Sequence, residues 1–156
     1  QSPVHPEPLA LRPALEAVAG EQEGAAVTVD VPDMTVRADR ELLRRIAVNL
    51  LDNSRKYGGR ADVHVRITAE ADGETAAISF TDDGAGVRPE QLPRLFDAFY
   101  RGDAARTAPG SGSGLGLAVV KKSAEEMGGA VRAENAENGG LRVIVTLPLA
   151  QEGGNG

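Results

Sequence analysis

Three stretches of the chain carry apolar residues at the three- and four-residue spacing of an α-helix. The predicted helices cover residues 9–22, 39–57 and 114–127. The middle stretch is the best defined, because Asp39 is a suitable N-cap and no Gly or Pro interrupts the pattern before Gly58. A further, shorter helical segment covers residues 89–95.

Alternation of apolar and polar residues predicts strands in six other segments. These cover residues 27–31, 34–37, 62–69, 75–81, 131–135 and 141–149. The turn sequences Asp72-Gly73 and Asn138-Gly139-Gly140 join the last four strands into two hairpins. The order of elements therefore predicts an α+β fold, a two-layer α/β sandwich with a mixed, mostly antiparallel sheet and helices on one face.

The composition limits the kinds of domain and partner. The 156 residues are 41% hydrophobic but only 3% aromatic, so we expect one aliphatic core over residues 9–150, between a Pro-rich linker, 1–8, and a disordered tail, 151–156. The absence of cysteine from the sequence excludes disulfides and thiolate metal sites. The net charge of −6 argues against nucleic acid or an anionic membrane as a partner. No apolar run approaches the roughly 20 residues of a membrane span.

The second predicted helix carries two adjacent stripes of different chemistry. At about 100° per residue, its apolar stripe comprises Leu43, Ile46, Ala47 and Leu50. Asn49, Asn53 and Lys56 form the polar stripe beside it. Carboxamide oxygens can bind Mg²⁺ and an ammonium can bind phosphate, although a polar helix face is often only solvated. The helix alone leaves both interpretations open.

Two glycine-containing segments add candidate chemistry. Asp82-x-Gly84-x-Gly86 follows a strand, where an acidic side chain and two glycines suit a flat ligand with an amine, such as adenine. Residues 112–117 open a helix with three glycines, whose backbone amides and helix dipole favour phosphate. The second segment is neither a P-loop nor a dinucleotide-binding turn. Each segment taken singly is also compatible with an ordinary turn.

Four segments, taken in their order along the chain, carry a family resemblance. They are Asn49-x-x-x-Asn53-x-x-Lys56-Tyr57, Asp82-x-Gly84-x-Gly86, Phe96-x-x-Phe99 and Gly112-x-Gly114-Leu-Gly116-Leu. Together they resemble the asparagine, first glycine, phenylalanine and second glycine boxes of the catalytic and ATP-binding domain of bacterial sensor histidine kinases. The resemblance covers residues 9–149 and implies the Bergerat ATP-binding sandwich, shared with type II topoisomerases and some chaperones. Ala85 is a departure, since the family often has Pro there, and we expect it to loosen the turn slightly.

The resemblance implies an ATP-dependent protein-histidine kinase and a role for each matching residue. Asp82 binds the adenine amine in a pocket that Gly84 and Gly86 shape. Asn53, with Asn49, holds a Mg²⁺ ion that bridges the nucleotide phosphates. The residues assigned to catalysis are Asn49, Asn53 and Lys56. The residues assigned to ATP binding are Asn49, Asn53, Lys56, Tyr57, Asp82, Gly84, Gly86, Arg101, Arg106, Gly112, Ser113, Gly114, Leu115 and Gly116.

The implied phosphate contacts extend into a long loop. Lys56 contacts phosphate and Tyr57 packs against the nucleotide. Residues 101–113, which lack any hydrophobic period, form the ATP lid, with Arg101 and Arg106 as phosphate contacts. ATPases that share the fold carry Glu at the position of Asn49 as a general base for hydrolysis. The resemblance therefore implies slow hydrolysis of ATP here.

The phosphate acceptor implied by the resemblance is a His on a separate helical dimerisation domain, from which a response regulator receives the phosphoryl group. No segment of this sequence resembles the acceptor motif, because His5 precedes a proline and His64 lies in a predicted strand. We therefore expect residues 1–8 to link an upstream dimerisation domain. The expected partners are ATP, that domain of the same kinase and the receiver domain of the response regulator. We expect a monomeric cytoplasmic fragment of a membrane-anchored sensor.

Two other functions are compatible with parts of the sequence. A stand-alone Bergerat-fold protein-serine kinase of the anti-sigma-factor kind is also short and lacks dimerisation helices, but the phenylalanine box and the long glycine-rich lid argue against it. A non-catalytic nucleotide-binding module is disfavoured by the full set of candidate ligands. Acid lability distinguishes phosphohistidine from phosphoserine.

Overall fold

The computed structural model describes residues 3–22, 26–57, 62–97 and 116–150. Its α-helices are α1 (Leu11–Glu21), α2 (Arg40–Tyr57) and α3 (Gly116–Glu126), and a 3₁₀ helix covers Pro89–Arg94. Its strands are β1 (Glu7–Ala10), β2 (Ala26–Asp30), β3 (Thr35–Ala38), β4 (His64–Asp72), β5 (Thr75–Asp82), β6 (Ala130–Asn135) and β7 (Leu141–Pro148). Within the described ranges, no helix has both the length and the apolar character that crossing a bilayer requires.

Five strands form the main sheet in the order β2-β4-β5-β7-β6. β2 is parallel to β4, and every other neighbouring pair is antiparallel. The β4–β5 and β6–β7 pairs are the two hairpins that the turn sequences predicted. Gly73 and Gly139 adopt φ of +64° and +98° in these turns, a region that favours glycine. The predicted mixed, mostly antiparallel sheet is therefore confirmed.

Alternate residues of the sheet point to one side, which we call the inner face, and pack against the helices. Ile67, Ile78 and Val145 are buried there, with Ile78 paired to Val145 across β5 and β7. Leu43 and Ile46 of α2 belong to the same apolar cluster. Burying side chains of this size stabilises a fold by about 1.5–3 kcal/mol each. This layer therefore fixes α2 against the sheet.

The beginning of the chain differs from the prediction. Glu7–Ala10 is a strand that pairs antiparallel with β3, with Leu9 opposite Val36, and α1 begins only at Leu11. The prediction of a helix from residue 9 was wrong, and so was the assignment of residues 7 and 8 to a linker. Only Leu9 of these four strand residues is buried, so the segment offers too little alternation to be recognised as a strand.

Asp39 caps α2 as the sequence predicted. Its Oδ1 accepts hydrogen bonds from the backbone N–H of Glu41 at 2.9 Å and of Leu42 at 3.1 Å. Its Oδ2 accepts a third, from the backbone N–H of His5 at 2.8 Å. The His5 N–H is the main reason why the pKa of Asp39 lies below its usual value, with help from the Leu42 and Glu41 N–H groups and against the effect of burial. An ionised Asp39 therefore joins the residues before β1 to the start of α2.

The remaining predicted elements occur at their expected places. β4 extends to Asp72, beyond the predicted strand, because pairing with β5 continues to the turn. α3 ends before Gly128, which adopts φ of +82°. Phe96 packs against the core, whereas Phe99 lies outside the described residues. The predicted tail, residues 151–156, also lies outside them.

Candidate functional site

Asp82, the last residue of β5, places a carboxylate among apolar side chains. The alternation of β5 points Ile78, Phe80 and Asp82 to the inner face, and Asp82 is only 5% exposed. A carboxylate in such surroundings must be hydrogen-bonded, because burying it without partners is costly. The sequence predicted a site at Asp82, and the structure shows that its carboxylate is buried on the helix side of the sheet.

Three donors surround the Asp82 carboxylate. Oδ1 accepts the backbone N–H of Gly84 at 3.0 Å and that of Leu141 at 3.1 Å. Oδ2 accepts the hydroxyl of Ser54, on α2, at 2.8 Å. An ionised carboxylate has about four acceptor positions. The described contacts therefore leave room on Oδ2 for one more donor, such as an amine of a ligand.

Glycines allow the β6–β7 turn to approach Asp82 closely. A Cβ atom on Gly140 would overlap the backbone carbonyl of Asp82 and lie 2.7 Å from its Oδ1. A Cβ on Gly86 would overlap the carbonyl oxygen of Gly139, and Gly86 adopts φ of +73°. Gly86 is thus required by both its conformation and its surroundings. Gly84 contributes its N–H, as described above.

Asn135, at the end of β6, fixes the segment that contains Gly86. Its Oδ1 accepts the backbone N–H of Val87 at 3.0 Å, and its Nδ2 donates to the carbonyl of Val87 at 2.7 Å. The side chain thereby substitutes for a strand partner of Val87. The β6–β7 hairpin therefore holds the turn after Asp82 in place through Asn135.

The polar stripe of α2 lies beside α3. Asn49 and Asn53 are half-buried, and Lys56 is exposed. The Nδ2 of Asn49 donates to the carbonyl of Arg45 at 2.9 Å, which directs its Oδ1 away from its own helix. A Cβ on Gly116, the first residue of α3, would lie 3.5 Å from this oxygen. A carboxamide oxygen therefore faces the first turn of α3, where the positive end of the helix dipole lies.

The structure brings some of the predicted site residues together and does not describe others. Asn49, Asn53 and Lys56 share α2, Asp82, Gly84 and Gly86 share the end of β5 and its turn, and Gly116 begins α3. The predicted residues outside the described part are Arg101, Arg106, Gly112, Ser113, Gly114 and Leu115, together with the side chain of Tyr57. The ATP lid over residues 101–113 falls in the same part of the chain. The roles assigned to all these residues stay predictions.

Sequence reasoning missed Ser54, Asn135 and Gly140. Ser54 had a signal, because it lies seven residues after Ala47 and four after Leu50 and so continues the apolar stripe of α2. A hydroxyl on a buried stripe needs a partner. Asn135 and Gly140 carried no comparable signal, because their roles depend on how one hairpin packs against a distant turn.

Residues 38–151 match the family model described as histidine kinase-, DNA gyrase B- and HSP90-like ATPase. The chain belongs to this ATPase family. The matched range includes α2, both hairpins and α3, and therefore all the site residues considered above. The family predicted from the four boxes is confirmed, and so is the two-layer sandwich with helices on one face.

The relatives of this ATPase domain are sensor histidine kinases. The signal transduction histidine-protein kinase BaeS of Escherichia coli (strain K12) is 34% identical over 155 residues, which cover 93% of this chain and 32% of BaeS. The solved structure of the mycobacterial sensor histidine kinase MprB superposes with a TM-score of 0.78 at 30% identity, over 92% of this chain and 98% of that one. Full-length ShkA, solved in complex with AMPPNP, superposes with a TM-score of 0.77 at 29% identity, over 97% of this chain and 32% of ShkA. The chain thus spans about a third of the curated relative BaeS.

Proposed function

We propose that this chain is the catalytic and ATP-binding domain of a two-component sensor histidine kinase. It binds Mg²⁺-ATP and directs the γ-phosphoryl group to a His of a separate dimerisation domain, from which a response regulator receives it. The observation that carries the proposal is the buried Asp82 carboxylate, which has one acceptor position left beside a glycine turn. Because ATP is the proposed substrate, we place the domain on the cytoplasmic side of a membrane-anchored kinase.

The base side of the proposed site selects adenine. Asp82 accepts a hydrogen bond from the exocyclic amine, and a guanine base offers a carbonyl at that position instead. A site built around one buried hydrogen bond rejects an analogue that lacks it. Gly84 and Gly86 leave the wall of the pocket without side chains, so a flat base can approach the backbone.

The phosphate side fits a Mg²⁺-nucleotide by the chemistry of its donors. Asn49 and Asn53 offer neutral oxygen ligands, which suit Mg²⁺ when phosphates supply the negative charge. Lys56, in the last turn of α2, contributes a positive charge for phosphate. ATP supplies the transferred phosphoryl group, and the residues of this chain orient it. Asn49 cannot accept a proton at neutral pH, so water beside it is not activated.

The acceptor His is proposed to lie on another domain. The backbone N–H of His5 bonds Asp39, at the far end of α2 from Lys56. The ring of His64 lies 2.7 Å from the hydroxyl of Thr28, on the sheet face opposite the helices. The His64 ring therefore lies on the other side of the sheet from the Asp82 carboxylate. BaeS is about three times as long as the segment that matches this chain, which leaves room for an acceptor domain in such a kinase.

Calorimetric titration tests the adenine site. We expect Mg²⁺-dependent binding of ATP, much weaker binding of GTP, and at least about a 100-fold loss of ATP affinity in Asp82→Ala. Asp83→Asn is the matched control, because the adjacent carboxylate accepts the backbone N–H of His64 at 2.8 Å on the β4 side. Equal affinities for ATP and GTP, or an unchanged affinity in Asp82→Ala, would contradict the adenine role.

Phosphoryl transfer is tested separately. The domain alone should not label itself from radioactive ATP, because transfer requires a nucleophile placed in line. Addition of the cognate dimerisation domain should give an acid-labile label. An acid-stable label on the partner would instead indicate a serine kinase, and label on His5 or His64 would refute the separate acceptor.

A further inference from the structure

We infer that Ser54 is a positioning residue for Asp82 and that its hydroxyl sets how strongly the site distinguishes adenine from other purines; this inference rests on the proposed binding of ATP. Ser54 Oγ donates to Asp82 Oδ2 at 2.8 Å. The two residues lie 28 positions apart, on α2 and at the end of β5. Ser54 thus acts on the base through another side chain.

The two oxygens of Asp82 are held in different ways. Oδ1 accepts two backbone N–H groups, from Gly84 and Leu141, and these cannot be removed by changing a side chain. Oδ2 accepts only Ser54 among the described contacts, and it is the oxygen with a position left for a ligand. The Ser54 hydroxyl therefore determines which lone pair of Oδ2 points into the pocket. Without it, only the two N–H groups on Oδ1 orient the carboxylate, and Oδ2 loses the donor that fixes the direction of its remaining acceptor.

The position of Ser54 on α2 fits this role. It continues the buried stripe of Ala47, Leu50 and Leu51 but is followed by exposed residues, so it lies where the buried stripe ends. A hydroxyl that is half-buried there is stable because it is hydrogen-bonded to a carboxylate, which strengthens the bond. Its neighbour Asn53 belongs to the polar stripe. One turn of α2 therefore carries both a phosphate-side ligand and the group that orients the base acceptor.

A purely structural role for Ser54 makes a different prediction. If the hydroxyl only compensated the buried charge, its loss would weaken the fold and lower the affinity for all purine nucleotides equally. If it positions Oδ2, its loss affects only nucleotides with a 6-amino group. Purine riboside triphosphate differs from ATP by having hydrogen in place of that amine. The ratio of the two affinities therefore separates the roles.

The experiment is calorimetric titration of wild type, Ser54→Ala and Ser54→Thr with Mg²⁺-ATP and Mg²⁺-purine riboside triphosphate, with thermal unfolding as a check. In Ser54→Ala we expect about a tenfold loss of ATP affinity, the usual size for one hydrogen bond to a charged group, and a change of about twofold or less for purine riboside triphosphate. Ser54→Thr keeps the hydroxyl, so its ratio of ATP affinity to purine riboside triphosphate affinity should be close to that of wild type.

The outcomes are distinct. An equal loss for both nucleotides in Ser54→Ala, or no loss for either, overturns the positioning role while leaving ATP binding intact. A wild type that binds the two nucleotides equally, or neither, overturns the proposed adenine site itself. If Ser54→Ala does not fold, Ser54→Cys, whose thiol is a weaker donor of similar size, replaces it, and an unchanged ratio in that variant overturns the inference.

Discussion

The two sides of the proposed site are held in different ways. On the base side, three donors from α2, the turn after β5 and the start of β7 surround the buried carboxylate of Asp82. On the phosphate side, the half-buried Asn53 and exposed Lys56 project from a single helix. The base side is therefore built by the packing of three segments distant in sequence, whereas Asn53 and Lys56 are brought to the phosphate side by the sequence of one helix.

This difference separates folding from binding. A group that takes part in packing cannot be changed without some cost to stability, because the donors around it lose their partner. A group on a helix surface can be removed at little cost to the fold, and its loss is felt only when the ligand is bound. The two sides should therefore respond differently to matched substitutions.

The largest expected effect concerns water at the phosphate side. A positioned general base is worth about 10²–10⁴-fold in rate, and Asn49 cannot serve as one. We expect the domain to bind ATP but to hydrolyse it slower, by about that factor, than ATPases of this fold with Glu at the same position. The measurement is phosphate release under saturating Mg²⁺-ATP.

Asn53→Ala is the control for that measurement, since it removes a proposed Mg²⁺ ligand and should abolish binding. Rapid phosphate release that disappears in Asn53→Ala would show that the domain is an ATPase in its own right. The phosphate side would then activate water, contrary to the role proposed for Asn49.

The next effect compares the two sides directly. Asp82→Ala leaves the N–H groups of Gly84 and Leu141 without their acceptor, and we expect it to lower the free energy of unfolding by about 1–3 kcal/mol. Asn53→Ala should change the free energy of unfolding by about 0.5 kcal/mol or less. Both variants should lose ATP affinity. Urea denaturation without nucleotide measures the free energy of unfolding. An equal loss of this free energy in Asp82→Ala and Asn53→Ala would remove the contrast between the two sides.

A smaller effect tests whether the hydrogen bonds of Asn135 support the base side. Asn135→Ala removes both hydrogen bonds to Val87, so we expect a loss of about 1 kcal/mol in the free energy of unfolding and a weaker affinity for ATP. Asn135→Asp is the matched variant, because it keeps the acceptor for the Val87 N–H but replaces the donor with a charged oxygen that repels the Val87 carbonyl. It should be less stable than wild type although its size is unchanged. Identical ATP affinity in all three proteins would exclude Asn135 from the support of the base side.

The same contrast explains which features the sequence predicted. The polar stripe of α2 was visible because helical spacing places Asn49 and Asn53 together without knowledge of the fold. Asp82 was visible because the strand pattern ends at an acidic residue followed by glycines. Local periodicity also predicted both hairpins and the layer of helices, since each depends on neighbouring residues.

The missed features all depend on contacts between distant segments. β1 is defined by its pairing with β3, and its four residues carry almost no pattern of their own. Asn135 and Gly140 matter because the β6–β7 hairpin packs against the turn after β5. Ser54 is intermediate, since a polar residue on a buried stripe is a local signal but its partner is not.

The smallest expected effect lies at the other end of α2, at the cap. Since the pKa of Asp39 in the folded protein lies below its usual value of 3.8, mainly because of the His5 N–H, its ionised form stabilises the fold. For a lowered folded pKa, this stabilisation is fully present above pH 3.8 and is lost as the pH falls through the folded pKa. Asn caps helices about as well as Asp but does not titrate, and its single oxygen can accept the Glu41 and Leu42 N–H groups but not that of His5 as well. Asp39→Asn therefore measures the charge together with the His5 hydrogen bond, a contribution that we expect to be about 0.3–1 kcal/mol. Urea denaturation of both proteins, from neutral pH to below the folded pKa of Asp39, should show that wild type is the more stable at neutral pH. The difference in the free energy of unfolding should vanish in acid. Three N–H donors, from His5, Glu41 and Leu42, point at the Asp39 carboxylate and favour its ionised form. A stability difference that grows as the pH falls would mean that the protonated form is favoured instead, and would contradict this account.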